Sequence, residues 1–183
     1  DWDMTAWDNN GNRNPIESKC YHLNFYSPTP DKIGMVGIEK YFHDYFNRLK
    51  TQQDKDLCPV LNGYIPSGKY SRQLAQQCID EALKLGYLVA YNHADWSLQG
   101  EDDFLGLKGL CAMEIVNGGS VRGGYSENLE FVYDRMLRDG QQICCLANDD
   151  NHNSDPNDDD SFIGYNVMYP DTLTYGDVFN CLK

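Results

Sequence analysis

The fold class follows from residues 71–93, which read SRQLAQQCIDEALKLGYLVAYNH. Ser71 is a typical helix N-cap and Gly86 a typical helix stop, so the sequence predicts a helix between them. The apolar run YLVAY after Gly86 predicts a short strand that is buried on both faces. His93 follows directly after this run. A capped helix that leads into a buried strand is typical of α/β proteins.

The same pattern recurs along the chain. Other strands are predicted at residues 20–26, 111–116, 143–147 and 162–168, and other helices from residue 38 to about 51, from 126 to 139 and after Thr174. Residues 1–14 are polar and turn-rich and predict a loop. Strands that alternate with capped helices predict a parallel sheet or barrel with helices outside it. With 183 residues the chain is long enough for one domain, over residues 1–183.

Charge and cysteine content limit the function classes. The formal net charge is −13, which disfavours nucleic acids and anionic membranes as partners. An anionic substrate would need bound cations, which reverse the local field. No apolar run approaches the length of a membrane span, and no signal peptide is visible. Seven cysteines without a C-x-x-C pair favour a reduced, cytoplasmic protein over a secreted one.

Candidate site residues follow two of the predicted strands, where α/β proteins concentrate their functional groups. His93 follows one strand, and Asp150 and His152 follow another. Imidazoles and carboxylates are the usual ligands of Zn, Mn and Fe, so Asp150 with His152 favours a metal or catalytic role. For His93 a ligand role and a structural role are evenly balanced. For His22 alone, a hydrogen bond to a backbone carbonyl is the favoured interpretation.

Three other chemistries are disfavoured by their missing motifs. The acidic stretch 154–160 lacks the glycine and glutamate spacing of an EF-hand loop and is interpreted as a solvated loop. No G-x-S-x-G motif indicates a serine hydrolase, and no glycine-rich loop of standard spacing indicates a phosphate cradle.

The order of several short motifs resembles the PHP (polymerase and histidinol phosphatase) domain. These motifs are Pro15-Ile-Glu17, Cys20-Tyr-His22, Val89-Ala-Tyr-Asn-His93, Met113-Glu-Ile-Val-Asn117 and Ala147-Asn-Asp-Asp150-Asn-His152. The most specific are the final Asp-x-His and the earlier histidine, each after its own strand. Ala94 stands where the family usually has proline. The chain lacks the family's first His-x-His and Asp-His motifs.

The resemblance implies a fold and a metal site. The fold is a distorted (β/α)7 TIM-like barrel, here without its first one or two strands. The family site holds up to three divalent ions (Zn, Mn or Fe), and its ligands match Glu17, His22, His93, Asp150 and His152. Glu17 matches a glutamate that often bridges two metals.

The resemblance also implies hydrolysis of a phosphate monoester or diester by a metal-bound water, with no side-chain nucleophile. Arg122, within GGSVRGG, either clamps the substrate phosphate or is a surface arginine in a loop. Because the chain is acidic, a small phosphorylated metabolite is the favoured partner. The oligomeric state stays open.

Two alternatives belong to other classes. The first is a truncated or degenerate PHP-like domain with a binding or regulatory role and no catalysis. The second is an extracellular carbohydrate-binding domain, suggested by the 13 tyrosines and the acidic surface. Disulfides among the cysteines would favour the second.

Overall fold

The computed structural model describes residues 2–5, 19–31, 34–38, 60–65, 70–125, 128–152 and 161–183. Seven strands and five helices lie in this part of the chain. The strands are β1 (Trp2–Thr5), β2 (Cys20–Tyr26), β3 (Gly34–Ile38), β4 (Val60–Ile65), β5 (Leu88–Tyr91), β6 (Ala112–Asn117) and β7 (Cys144–Asn148). The helices are α1 (Arg72–Lys84), α2 (Glu101–Phe104), α3 (Gly118–Arg122), α4 (Glu130–Arg138) and α5 (Tyr175–Asn180).

The main sheet is open and mixed. Its five strands lie in the order β1-β2-β5-β6-β7, and β3 and β4 form a separate parallel pair. The β5–β6 and β6–β7 pairs are parallel, whereas β1–β2 and β2–β5 are antiparallel. The prediction of a mixed α/β fold is confirmed. The described strands do not close into the predicted barrel, because β1 and β7 are the edges of the sheet.

One face of this sheet packs on α1. The apolar face of α1 consists of Leu74, Ala75, Cys78, Ile79 and Ala82, all buried. It belongs to the same core as Tyr21 and Leu23 of β2 and Val89 and Tyr91 of β5. Ala90, Ala112 and Leu146 lie on the opposite face, in a smaller core with Leu182. Because side chains alternate along a strand, His22 of β2 and Glu114 of β6 lie on this second face.

Local sequence signals place several elements correctly. Ser71 caps α1 by accepting the N–H of Leu74 at 3.2 Å, and Gly86 follows the helix with φ +85°. Thr174 caps α5 by accepting the N–H of Asp177. The predicted strands at residues 20–26, 87–91, 111–116 and 143–147 are present, with ends that differ by one residue at most.

Several predicted elements need correction. Residues 2–5 form a strand, β1, because their backbone pairs with β2. The helix expected to start at Ile38 does not include that residue, which ends β3 through its pairing with β4. Most of that helix lies outside the described residues, as does Ser126, and α4 begins later, at Glu130.

The prediction of a strand at residues 162–168 is wrong. The carboxylate of Asp149 accepts the backbone N–H groups of Phe162, Ile163 and Gly164 at 2.7–2.9 Å. Asn166 then bonds the backbone of Ala147 on β7 through both of its amide atoms. Side chains therefore satisfy the polar groups that a strand ladder would use.

No helix in the described ranges has the length and apolar character needed to cross a membrane.

Candidate functional site

The candidate site lies where the parallel strands β5, β6 and β7 end. Their carboxyl ends meet at one edge of the sheet. β2 runs in the opposite direction, so its beginning lies at this same edge. The N–H of Asn92 donates to the carbonyl oxygen of His22 at 3.1 Å, which brings the first histidine beside the end of β5.

His22 and His93 are in direct contact although they are 71 residues apart in sequence. The Nδ1 atom of His22 lies 2.5 Å from Nε2 of His93, and the ring centroids are 4.6 Å apart. Two imidazole lone pairs at this distance repel each other, so a proton lies between the two nitrogens. When two imidazoles bind one tetrahedral zinc, their nitrogens lie about 3.3 Å apart, so the rings of His22 and His93, which are in hydrogen-bond contact here, would have to separate by about 1 Å to share a cation.

Burial keeps His93 neutral. The side chain is only 4% exposed, and this burial, together with the neighbouring charge of His22, lowers the pKa of His93 to about 4. Asp150 raises the pKa of His93 and His152 lowers it, so both residues lie within electrostatic range of the ring. Neutral imidazole is the form that binds metals. The ring of Trp96 packs edge-on against His93, with 5.1 Å between the centroids.

Glu114 links the ends of the three parallel strands. Its Oε2 accepts the backbone N–H of His93 at 2.9 Å and the side-chain amide of Asn117 at 2.8 Å, and its Oε1 accepts the amide of Asn148 at 2.8 Å. Burial raises the pKa of Glu114, and the negative charge of Asp150 raises it further, while the three donors act in the opposite direction. The carboxylate therefore holds the backbone from which His93 projects.

Asp150 and His152 lie beyond β7. Nδ1 of His152 is 2.8 Å from the backbone oxygen of Asp150 and 3.9 Å from its Oδ1. The side chain of His152 is 78% exposed. Asp150 has φ 52° and packs on Gly119, where a Cβ would lie 3.0 Å from Oδ2 of Asp150. A larger residue at position 119 would therefore press on the aspartate.

Arg122 lies at the end of α3, on the exposed surface. It is close enough to Asp149 to contribute to that residue's lowered pKa, after the N–H donors of Gly164, Phe162 and Ile163. Arg122 is therefore a surface residue of a helix and not of a loop, as one of the two interpretations of the sequence had it. Its role as a phosphate clamp stays a prediction.

The structure brings together part of the predicted ligand set. His22 and His93 meet, and Asp150 and His152 adjoin each other close to His93. Glu17 lies outside the described residues. Within the part of the chain that the structure describes, no three or more His, Cys, Asp and Glu side chains form a group that could hold a metal ion.

The sequence analysis assigned no role to Glu114, Asn117, Asn148 or Ser97. Asn117 and Asn148 each follow directly after a predicted strand and end the observed one, which is the signal that could have identified them. Nothing local distinguished the direction in which Glu114 points, because β6 is apolar on both sides of it.

Comparison with known proteins adds no relative: no family model, no curated protein and no solved structure matches the chain.

Proposed function

We propose that the protein is a metal-dependent phosphoesterase that hydrolyses small phosphate monoesters or diesters. The observation that carries this proposal is the convergence of His22 Nδ1 and His93 Nε2 at 2.5 Å, beside the ends of three parallel strands. Two nitrogen ligands from different strands, with a carboxylate at Asp150 within electrostatic range, form the kind of nitrogen and oxygen donor set that Zn, Mn and Fe bind.

The ligands proposed for the complete site are Glu17, His22, His93, Asp150 and His152. Bound there, a divalent cation would lower the pKa of a water molecule and neutralise the phosphoryl oxygens of the substrate.

The other residues of the site orient the imidazole of His93 or bind the phosphate of the substrate. Glu114 fixes the backbone at His93, and Trp96 packs against the imidazole, which limits its rotation. Arg122 is exposed at the same edge of the sheet and offers a planar group for a phosphate. The acidic chain disfavours nucleic acid, so the proposed substrate is a small phosphorylated metabolite.

The proposed compartment is the cytoplasm. Cysteines 20, 78, 111, 144, 145 and 181 lie in the described part of the chain, and no disulfide joins any of them. Thiols that stay reduced are typical of proteins in reducing compartments. Detection of disulfides in the native protein would contradict this and would favour the carbohydrate-binding alternative.

The hydrolysis test uses p-nitrophenyl phosphate and its diester analogue with the full chain. After treatment with EDTA, added Mn²⁺ or Zn²⁺ should restore turnover in the wild type and fail to restore it in His93→Ala and Asp150→Ala. Asp134→Asn is the matched control, because Asp134 forms an exposed ion pair with Arg138 on α4. Equal rates in the wild type and His93→Ala would refute the proposal.

A binding or regulatory role without catalysis is the second candidate. It is favoured by the position of His152, which is 78% exposed and bonds the backbone of its own loop. Metal content separates the two candidates. Two or three equivalents of metal per chain would support the enzyme, and one or none would support the binding role.

A further inference from the structure

A buried hydrogen-bond chain lies behind His93, on the side of the ring opposite His22. Nδ1 of His93 is 3.0 Å from the hydroxyl oxygen of Ser97, and the thiol of Cys20 donates to that same oxygen at 3.4 Å. Ser97 is fully buried and Cys20 is 2% exposed. The hydrogen-bond chain therefore runs from Cys20 through Ser97 and His93 to His22, and it uses both nitrogens of the His93 ring.

The backbone fixes Ser97 in this position. The N–H of Ser97 donates to the carbonyl oxygen of His93 at 3.1 Å, and the N–H of Cys20 donates to the carbonyl oxygen of Ser97 at 3.3 Å. Two separate segments of the chain thus hold the hydroxyl against the imidazole. A side chain with no exposed surface does not reach substrate, so a role as nucleophile is excluded.

We propose that Ser97, supported by Cys20, is a positioning residue that directs Nε2 of His93 towards His22 and towards a cation that the two rings would share. The inference rests on the proposed metal-dependent function and adds a residue to which that function assigns no role. Groups that bond the second nitrogen of a ligand histidine fix its tautomer and orientation, and their loss typically weakens metal binding about 10–100-fold.

The protons of this hydrogen-bond chain can be placed in two ways. Without a cation, the hydroxyl of Ser97 donates to Nδ1 of His93, and Nε2–H donates to Nδ1 of His22. With a cation, Nε2 offers its lone pair, so Nδ1 carries the proton and donates to the oxygen of Ser97. His93 and Ser97 hold the same number of protons in both arrangements. The thiol of Cys20 either donates or accepts, so Ser97 keeps a partner in each.

The first test measures Zn²⁺ affinity by competition with a chromogenic chelator, using the full chain. Ser97→Ala should bind Zn²⁺ about 10–100-fold more weakly than the wild type, and Ser97→Thr, which keeps the hydroxyl, should recover most of the loss. Ser71→Ala is the matched control, because Ser71 caps α1 and does not contact His93. It should lose stability and keep the wild-type affinity.

The outcomes separate the inference from the function on which it rests. If the wild type binds no Zn²⁺, the proposed function fails. If the wild type binds and Ser97→Ala binds within twofold of it, the positioning role fails while the metal site stands.

The second test needs no substitution and stays decisive if Ser97→Ala does not fold. Nitrogen-15 NMR of the histidine rings should show the Nε2–H tautomer of His93 in the metal-free protein and the Nδ1–H tautomer with Zn²⁺ bound. A ring that keeps its Nε2 proton in the presence of saturating Zn²⁺ would overturn the inference.

Discussion

Replacement of Glu114 by alanine should destabilise the protein more than any other single change at the site. The substitution removes the acceptor for three donors, namely the backbone N–H of His93 and the amides of Asn117 and Asn148. His93 and Asn117 are 4% and 3% exposed, so water does not replace the lost bonds, whereas Asn148 is only partly buried.

The magnitude follows from these three donors. A buried donor left without an acceptor costs about 1–3 kcal/mol, and two of the three are fully buried. Relief of the repulsion between Glu114 and Asp150 offsets part of this cost. We expect a loss of about 3 kcal/mol, which is a large share of the roughly 5–15 kcal/mol that stabilises a typical domain.

Glu114→Gln separates hydrogen bonding from charge. Its amide oxygen can still accept from two donors, but its NH₂ group then faces the amide of Asn148, whose own oxygen accepts from Asn166 at 3.2 Å. The cost should be about 1 kcal/mol at neutral pH. The order of stability is therefore wild type, then Glu114→Gln, then Glu114→Ala.

The difference in stability between the wild type and Glu114→Gln should change with pH in a defined direction. The pKa of Glu114 is higher in the folded protein than its ordinary value of 4.5, so the fold favours the protonated form. The stability that this preference gives is complete below pH 4.5 and is lost as the pH rises through the raised value. Glutamine does not titrate, so the deficit of Glu114→Gln should be larger at pH 4.5 than at pH 7.

Urea denaturation followed by tryptophan fluorescence measures these differences, with EDTA present so that metal binding does not contribute. Glu101→Gln is the matched control. Glu101 forms an exposed ion pair with Arg135 at 2.7 Å, and such surface pairs add little to stability. A Glu114→Ala variant within 1 kcal/mol of the wild type would show that the three donors find other partners, and it would refute the reasoning.

The remaining predictions concern acid stability and close packing. Because the pKa of His93 is lowered from 6.5 to about 4, the metal-free protein should lose up to about 3 kcal/mol between these pH values, and His93→Gln should flatten that part of the curve of urea stability against pH. Gly164→Ala should cost about 1–3 kcal/mol, since a Cβ there would lie 2.6 Å from the backbone nitrogen of Asn148. Gly176→Ala, with nothing within 4 Å of the added methyl, should not destabilise α5, and equal thermal midpoints for the two alanine variants would contradict the packing argument.

The candidate site could be predicted in part from the sequence. The positions of His93 and Asp150 follow from apolar runs that end just before them, because the carboxyl ends of parallel strands collect functional groups. The contact of His22 with His93 could not be predicted in the same way. It depends on β2 running against β5, and the residues of β2 contain no signal for the direction of their partner.

The segment at residues 162–168 shows why a prediction from local sequence can fail. Its apolar and aromatic residues are typical of a strand, yet Asp149 accepts its first three N–H groups and Asn166 bonds β7. These partners lie 13–19 residues away in sequence. A pattern read over a few neighbouring residues does not include them.

The sequence by itself determined the caps of α1 and α5, the strands β2, β5, β6 and β7, and the α/β class, because each depends on residues that are close together in the sequence. Ser71 and Gly86 bound α1 through bonds and backbone angles that are entirely local. Only the tertiary structure decided that the sheet is open, that His22 faces His93, and that Glu114 joins three strand ends. Strand direction and register are set by contacts between distant segments, and these contacts exist only once the chain has folded.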